Sequence, residues 1–236
     1  MCAFGHGRQA SVYQNGYDMS NYLNSVTHSA SVDTHETTVF SSTAKTYLVG
    51  LVDGSLSAEG LFSSTGIDST LNTLVGSTAG SVWSEYPQSS AVGSYGMGMA
   101  ALNTAYEITT PVDGVVSLSV EGQSKMGRER IVSLRAKADA STSGTGTSND
   151  NTAASTEGGS GYLHRFDTNS RTATIVVQHS SAGSSWATLL SFAATTGRNG
   201  QRVPVSGSVK RYVRHSLSLS TNSTAAVNFQ VGFYRK

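Results

Sequence analysis

From Val227 to Phe233 every second residue is apolar, with Asn228, Gln230 and Gly232 between them, and the same two-residue period recurs along much of the chain. A helix buries a face built from spacings of three and four, whereas a strand sends alternate side chains to opposite faces. Val116, Leu118 and Val120 repeat the pattern, as do the runs from Val26 to Val32, Leu56 to Phe62, Val132 to Ala138, Ala173 to Val177 and Val209 to Leu219. Turn chemistry separates them. Pro111-Val112-Asp113-Gly114 combines a fixed φ with a residue free to take positive φ, and Asn15-Gly16 between short apolar stretches is a hairpin signal. The expected fold is all-β, a β-sandwich or barrel.

Two places argue for helix. Ile67, Leu71, Leu74 and Val75 fall at helical spacing, with Asp68 near the start and Gly76 at the stop. Trp186, Leu189, Leu190 and Ala193 do so again, after a Ser/Gly turn. Each follows an alternating strand, so either one strand–turn–helix unit is duplicated or two helices cross a sandwich by coincidence.

Only 13% of residues are charged, and Ser, Thr and Gly occupy positions where Lys and Glu usually sit. A weakly charged β protein invites edge-to-edge association unless its edges are covered, and copies of the same chain can cover them. The charges are also sorted along the sequence. Residues 162–236 hold nine basic side chains and one acid, a net of +8, while residues 1–161 hold seven basic and fourteen acidic, a net of −7. Opposite fields favour head-to-tail contact between copies, although a basic half also suits nucleic acid or another acidic partner. Between them, residues 140–161 contain five Gly, five Ser and five Thr and no aliphatic side chain beyond Ala. This reads as a flexible linker or a long surface loop, and it divides an acidic β-rich half (1–139) from a basic β-rich half (162–236).

Catalytic, nucleotide and zinc signatures (GxSxG, GxxxxGK[ST], HExxH, CxxC) are missing, so no catalytic residue, cofactor or metal site is expected. His28 and His35 are candidates to share a loop but lack a third ligand, Asp33 and Glu36 read as loop charges, and Gly93, Gly96 and Gly98 read as close-packed glycines. The aromatics Tyr162, Phe166, Trp186, Phe192 and Tyr212 lack the spacing of a single-strand nucleic-acid reader and are expected mostly in the core. The single cysteine, Cys2, cannot form an internal disulfide, no apolar run is long enough to span a bilayer, and the first residues lack the apolar core of a signal peptide. A soluble protein at home in a reducing cytosol is expected. Lys210, Arg211 and Arg214 interleave with Tyr212 and Val213 on one predicted strand, a candidate basic interface whose buried member would need a carboxylate from a neighbour.

Between His35 and Phe62, a Thr-rich segment leads into Lys45, Tyr47, Gly50, Leu51, Asp53 and Gly54, then Gly60 and Phe62. The later segments are Val177-Gln178-His179-Ser180, then Trp186, Leu189 and Phe192, then Gly207 to Arg214, and the closing Phe233-Tyr234-Arg235. Together these resemble the tail tube proteins (major tail proteins) of long-tailed bacteriophages. One departure is Ala182-Gly183, where that family pattern has Asp-Gly. The resemblance implies a structural, non-enzymatic virion protein, assembled in the host cytoplasm, whose rings stack into a hollow tail tube for genome ejection. It implies rings of six, or of three if the internal duplication holds. Its partners would be further copies of itself, terminator and tip or baseplate proteins, and DNA passing through the lumen without specific binding; no membrane is involved. The segment matching the family's ring-stacking loop is His35 to Gly54, with His35, Thr37, Phe40, Lys45, Tyr47 and Asp53 as candidates. A head decoration or receptor- or carbohydrate-binding module is the alternative, and a glycan- or ester-cleaving enzyme would rest only on the general look of a β-sandwich.

Overall fold

A computed structural model describes residues 7–64 and 66–236; Cys2 lies outside them. The chain is built of strands: β1 Ser11–Gln14, β2 Tyr17–Asp18, β3 Leu23–Glu36 and β4 Tyr47–Leu61, then helix α1 Asp68–Leu74, β5 Ser81–Tyr86, β6 Tyr95–Thr109 and β7 Ser117–Ser124. There follow β8 Glu129–Ala140, β9 Gly144–Thr145, β10 Asn149–Asp150, β11 Gly159–Arg165, β12 Ala173–Ser180, β13 Ala187–Ser191, β14 Asn199–Val205, β15 Tyr212–Leu219 and β16 Val227–Arg235. The all-β expectation holds, and every alternating run named above lies wholly or mainly in a strand.

The strands group into two compact units. The first takes in the described residues up to Asn21, Ser81–Gly98 and Glu129–Lys236; the second takes in Tyr22–Gly80 and Met99–Arg128. The first is a sandwich. One sheet runs β14-β11-β16-β8, then the opening residues of β6 (Tyr95↔Val132 to Gly98↔Glu129), then β5, β1 and β2. The other runs β10-β15-β12-β13, with β9 also on β15. Between them lie Leu134, Leu163, Ile175, Val177, Leu190, Phe192, Val213, Leu217, Phe229, Val231 and Phe233, all buried. Burying each such side chain stabilises by about 1.5–3 kcal/mol. A second cluster, Tyr13, Tyr86, Ile131, Tyr162 and Phe166, is aromatic, with Tyr13 set edge-on to Phe166 at 5.0 Å. Gly96 and Gly98 are the close-packed glycines expected: a Cβ on the first would meet the Glu85 carbonyl oxygen at 2.2 Å, and one on the second the Tyr162 ring at 2.6 Å.

Charged groups inside this unit are tied down. Arg165 is fully buried; it pairs with Asp167 (2.8 Å) and donates to the carbonyls of Arg171 (2.8 Å) and Thr195. Glu129 accepts from Arg202 (2.5 Å), Tyr162 (2.5 Å) and Ser160 (2.9 Å), which locks β8, β11 and β14 together. The desolvation and the Glu129 carboxylate push the Tyr162 phenol far above its ordinary value, so it remains a donor. His164 is buried with its pKa depressed to about 3 by loss of hydration; it accepts from the Gly16 amide and donates to Ser84 (2.9 Å).

One expectation is corrected, and one pair of alternatives is decided. Residues 186–193 are not helical: Ala187–Ser191 form β13 on β12 (Val177↔Leu190, Gln178↔Thr188). The free edge of β12 supplies backbone partners, and the alternation of buried Leu190, exposed Ser191 and buried Phe192 outweighs the helical spacing. The second strand–turn–helix unit, and the duplication built on it, go with that helix. Residues 140–161 are not a free tether. Gly144–Thr145 and Asn149–Asp150 pair with β15, and Ser155 bonds Val209 in both directions (2.9 and 2.8 Å). The stretch is a loop whose backbone covers the edge of β15, where small side chains permit close approach.

The second unit is an antiparallel sheet in the order β3-β4-β7-β6, the last through Met99–Thr109. Helix α1 is the one expected over Ile67–Val75. It is tied along β6 by Tyr106, whose hydroxyl donates to Asp68 (2.8 Å), and by the Gly76 amide on the Asn103 carbonyl (3.3 Å). Ile67 and Leu71 are buried, as are Leu56, Ala58, Met99, Ala101, Leu118 and Val120. The Pro111–Gly114 turn joins β6 to β7 as expected.

Candidate functional site

From Gly54 to Gly60, β4 alternates buried and exposed positions, as a half-buried strand should. From Tyr47 to Asp53 the alternation stops and six of seven residues are exposed. The change follows the pairing. β7 accompanies β4 only from Leu61 to Ser55, so beyond Asp53 the hairpin has no further sheet neighbour. The stretch from Tyr47 to Val52 reaches about 20 Å past that point at about 3.3 Å per residue.

The sequence nevertheless makes this arm regular. β3 and β4 pair from Leu23↔Gly60 to Glu36↔Tyr47 with two register shifts, one between Leu23 and Ser25 and one where Asp33 faces Gly50 and Leu51. Gly50 sits there because a Cβ would stand 3.0 Å from Asp33; such a bulge sharpens the local twist. The tip is held by its own bonds. The Thr37 amide donates to the Thr46 carbonyl (2.8 Å), the Ser42 amide to the Val39 carbonyl (2.9 Å) and the Thr46 amide to Thr38 Oγ1 (3.2 Å). Lys45 pairs with Glu36 at 3.0 Å.

On this frame the apolar residues face water: Leu51 is 81% exposed, Val49 70%, Leu48 62%, and Phe40 at the tip is fully exposed. Val32, Val39, Tyr47 and Val52 join them. Apolar side chains exposed together on one ordered element make it the candidate contact site. Its outer edges carry unpaired backbone groups, with no Pro and a single Lys, Lys45 at the tip, to discourage pairing.

The candidates from sequence are all gathered in or beside this arm. His35 faces Leu48 across the hairpin, Thr37 Oγ1 donates to Thr46 Oγ1 (3.1 Å), and Lys45, Tyr47 and Phe40 lie at or near the tip. Asp53 is at the base, where it accepts from Gln123 and from the Gly54 amide (2.7 Å). The expected loop is therefore mostly strand: Asp33, His35, Glu36 and also His28 belong to β3. Leu48, Val49, Leu51 and Val52 lie within the segment His35 to Gly54 but were not among the candidates singled out in it. The signal was the apolar run YLVGLV, which shows no alternation.

The basic candidates lie in the first unit and are partnered within the chain. Arg211 pairs with Asp150 (2.6 Å) and holds that carboxyl down at about 2, while Arg214 stacks over Trp186 (4.1 Å) and donates to Gln178 (2.9 Å). The carboxylate expected from a neighbour is supplied for Arg211 by β10 of the same chain, and Lys210 is exposed. The fully buried arginine is Arg165, which sequence spacing did not single out.

No family model and no curated protein matches the chain. Solved structures resemble it at low identity. One is from the virion of a native gene transfer agent particle, 14% identical, covering 54% of this chain and 98% of that one with a TM-score of 0.44. Another is from the tail of an empty gene transfer agent particle, 15% identical, with 45% and 80% covered and a TM-score of 0.38. A third is from the phage p2 baseplate in its activated conformation, 10% identical, with 96% and 98% covered and a TM-score of 0.34.

Proposed function

We propose that the chain is a structural subunit of a phage-type tail tube, with copies joined into rings and the rings stacked through the β3–β4 arm. The observation that carries the reading is the arm itself: an ordered hairpin, free of sheet neighbours beyond Asp53, with eight large apolar side chains exposed from Val32 to Val52. A surface complementary to something other than itself generates an open stack rather than a closed dimer. The charge distribution supports the same reading. The second unit holds eight acidic and three basic residues, a net of −5, against +6 for the first. Unlike fields on one chain steer copies into head-to-tail order. The sequence resemblance to tail tube proteins adds the expected geometry, a channel through which DNA passes without being read. In this reading the protein is not an enzyme, and its location is the tail of a virion.

Negative-stain electron microscopy across a concentration series, paired with light scattering, tests it. Hollow tubes or rings of uniform width are expected, and Leu51→Ser with Val49→Ser should abolish them while the monomer stays folded. Discrete trimers, or monomers that never polymerise even on an added tail-tip initiator, would move the assignment to a head decoration or receptor-binding module.

A further inference from the structure

The arm needs a receiving surface, and the first unit carries one that fits. Pro87, Gln88, Ser89, Tyr95, Met97 and Arg130, with Ser94 and Gly96 between them, line an open groove of about 440 Å³. It is mainly apolar, and its one charged side chain is Arg130, whose guanidinium lies 4.0 Å over the exposed Tyr95 ring. Arg130 has no carboxylate partner among the described residues.

We propose that the tip of the β3–β4 arm of a second copy occupies this groove, with Phe40 as the inserted anchor and Val39 beside it. The assignment rests on the tube reading for the arm's role and adds the partner surface. Three observations select this occupant. Phe40 makes no use of its ring in its own chain, since it is fully exposed on a turn that backbone and hydroxyl bonds already hold in shape. Little conformational freedom is then lost on docking, and a pre-ordered aromatic in a pocket beside an arginine is a usual source of binding energy. The groove accommodates a ring that buries about 150–250 Å². The charges also match: Asp33, Glu36 and Asp53 against Lys45 give the arm a net of −2, and it meets a groove whose only charge is positive. The other fully exposed turn, at Val112, offers a small aliphatic side chain and leaves most of the groove empty.

The test uses full-length chains in a Cys2→Ser background. One batch carries Ser41→Cys, next to the anchor, and another Gln88→Cys, and the two are mixed under assembly conditions with a short bismaleimide. Cross-linked pairs are expected in the mixture and in neither batch alone. Phe40→Ala and Arg130→Glu should each raise the concentration needed for assembly by tenfold or more, with Val112→Ala unchanged. Tubes that form without cross-links, and at the wild-type concentration in Phe40→Ala, would overturn the groove assignment while leaving the tube reading intact. Cross-linked pairs from a wild type that forms no tubes would uphold the groove and overturn the tube reading.

Discussion

The two units treat apolar surface in opposite ways. The first, the larger, buries it in a sandwich core and an aromatic cluster, and leaves few large apolar side chains in water; Val92 and Tyr95 are the ones exposed above about a third. The second is smaller, yet of sixteen large apolar side chains exposed among the described residues it holds fourteen. Charge divides along the same line, +6 against −5. The sandwich gains its stability from burial, whereas the arm leaves its apolar side chains in water; under the proposed function this is a separation of tasks.

That division can be broken or sharpened by comparing stability with assembly. The largest loss of stability is expected for Phe229→Ala, at the centre of the sandwich, where emptying an aromatic site costs about 4 kcal/mol in chemical denaturation. Glu129→Gln comes next. It removes the charge that pairs with Arg202 and leaves one accepting oxygen where Arg202 and Tyr162 used two, and should cost about 3 kcal/mol, with the melting temperature falling accordingly.

Acid should act on the same unit. His164 and His215 are held neutral by burial, with pKa values near 3 and near 4, whereas the unfolded chain takes up a proton at each near pH 6.5. The unfolded state then binds more protons than the native state. Stability is full above about pH 6.5 and falls as the pH drops toward 4, by about 2 kcal/mol per histidine at pH 5. Denaturation curves at pH 7.5 and 5 check this, and a flat profile would contradict the burial of both rings. At the small end, Leu51→Ser should leave the melting temperature unchanged and remove assembly. Asp150→Asn, at the exposed Arg211 pair, should change neither by a measurable amount. If Leu51→Ser unfolded the protein, the separation of tasks would be wrong.

Much of this was legible in the residues. Alternation located the strands, Asn15-Gly16 gave the β1–β2 turn with both residues at positive φ, and the Asp68-to-Gly76 signals gave α1. What local pattern could not give was the pairing between distant segments. Trp186 to Ala193 satisfied a helical spacing, but the free edge of β12 decided its state. Residues 140–161 lacked apolar side chains to read, and their order comes from backbone bonds to β15, which composition does not register. The charge split was visible as a linear change of sign near residue 140, whereas in space Ser81–Gly98 and Glu129 onward join the basic unit.

The position of β16 bears on when the molecule can form. Val227–Arg235 lies between β11 and β8, inside the sheet rather than at its edge, so the sandwich stays open along its middle until those residues leave the ribosome. The second unit needs nothing beyond Arg128, and its hairpins pair close neighbours in sequence. During synthesis the β3–β4 arm is therefore complete well before the sandwich. Under the docking proposed above, a newly made chain would carry its arm before it had a groove to receive one.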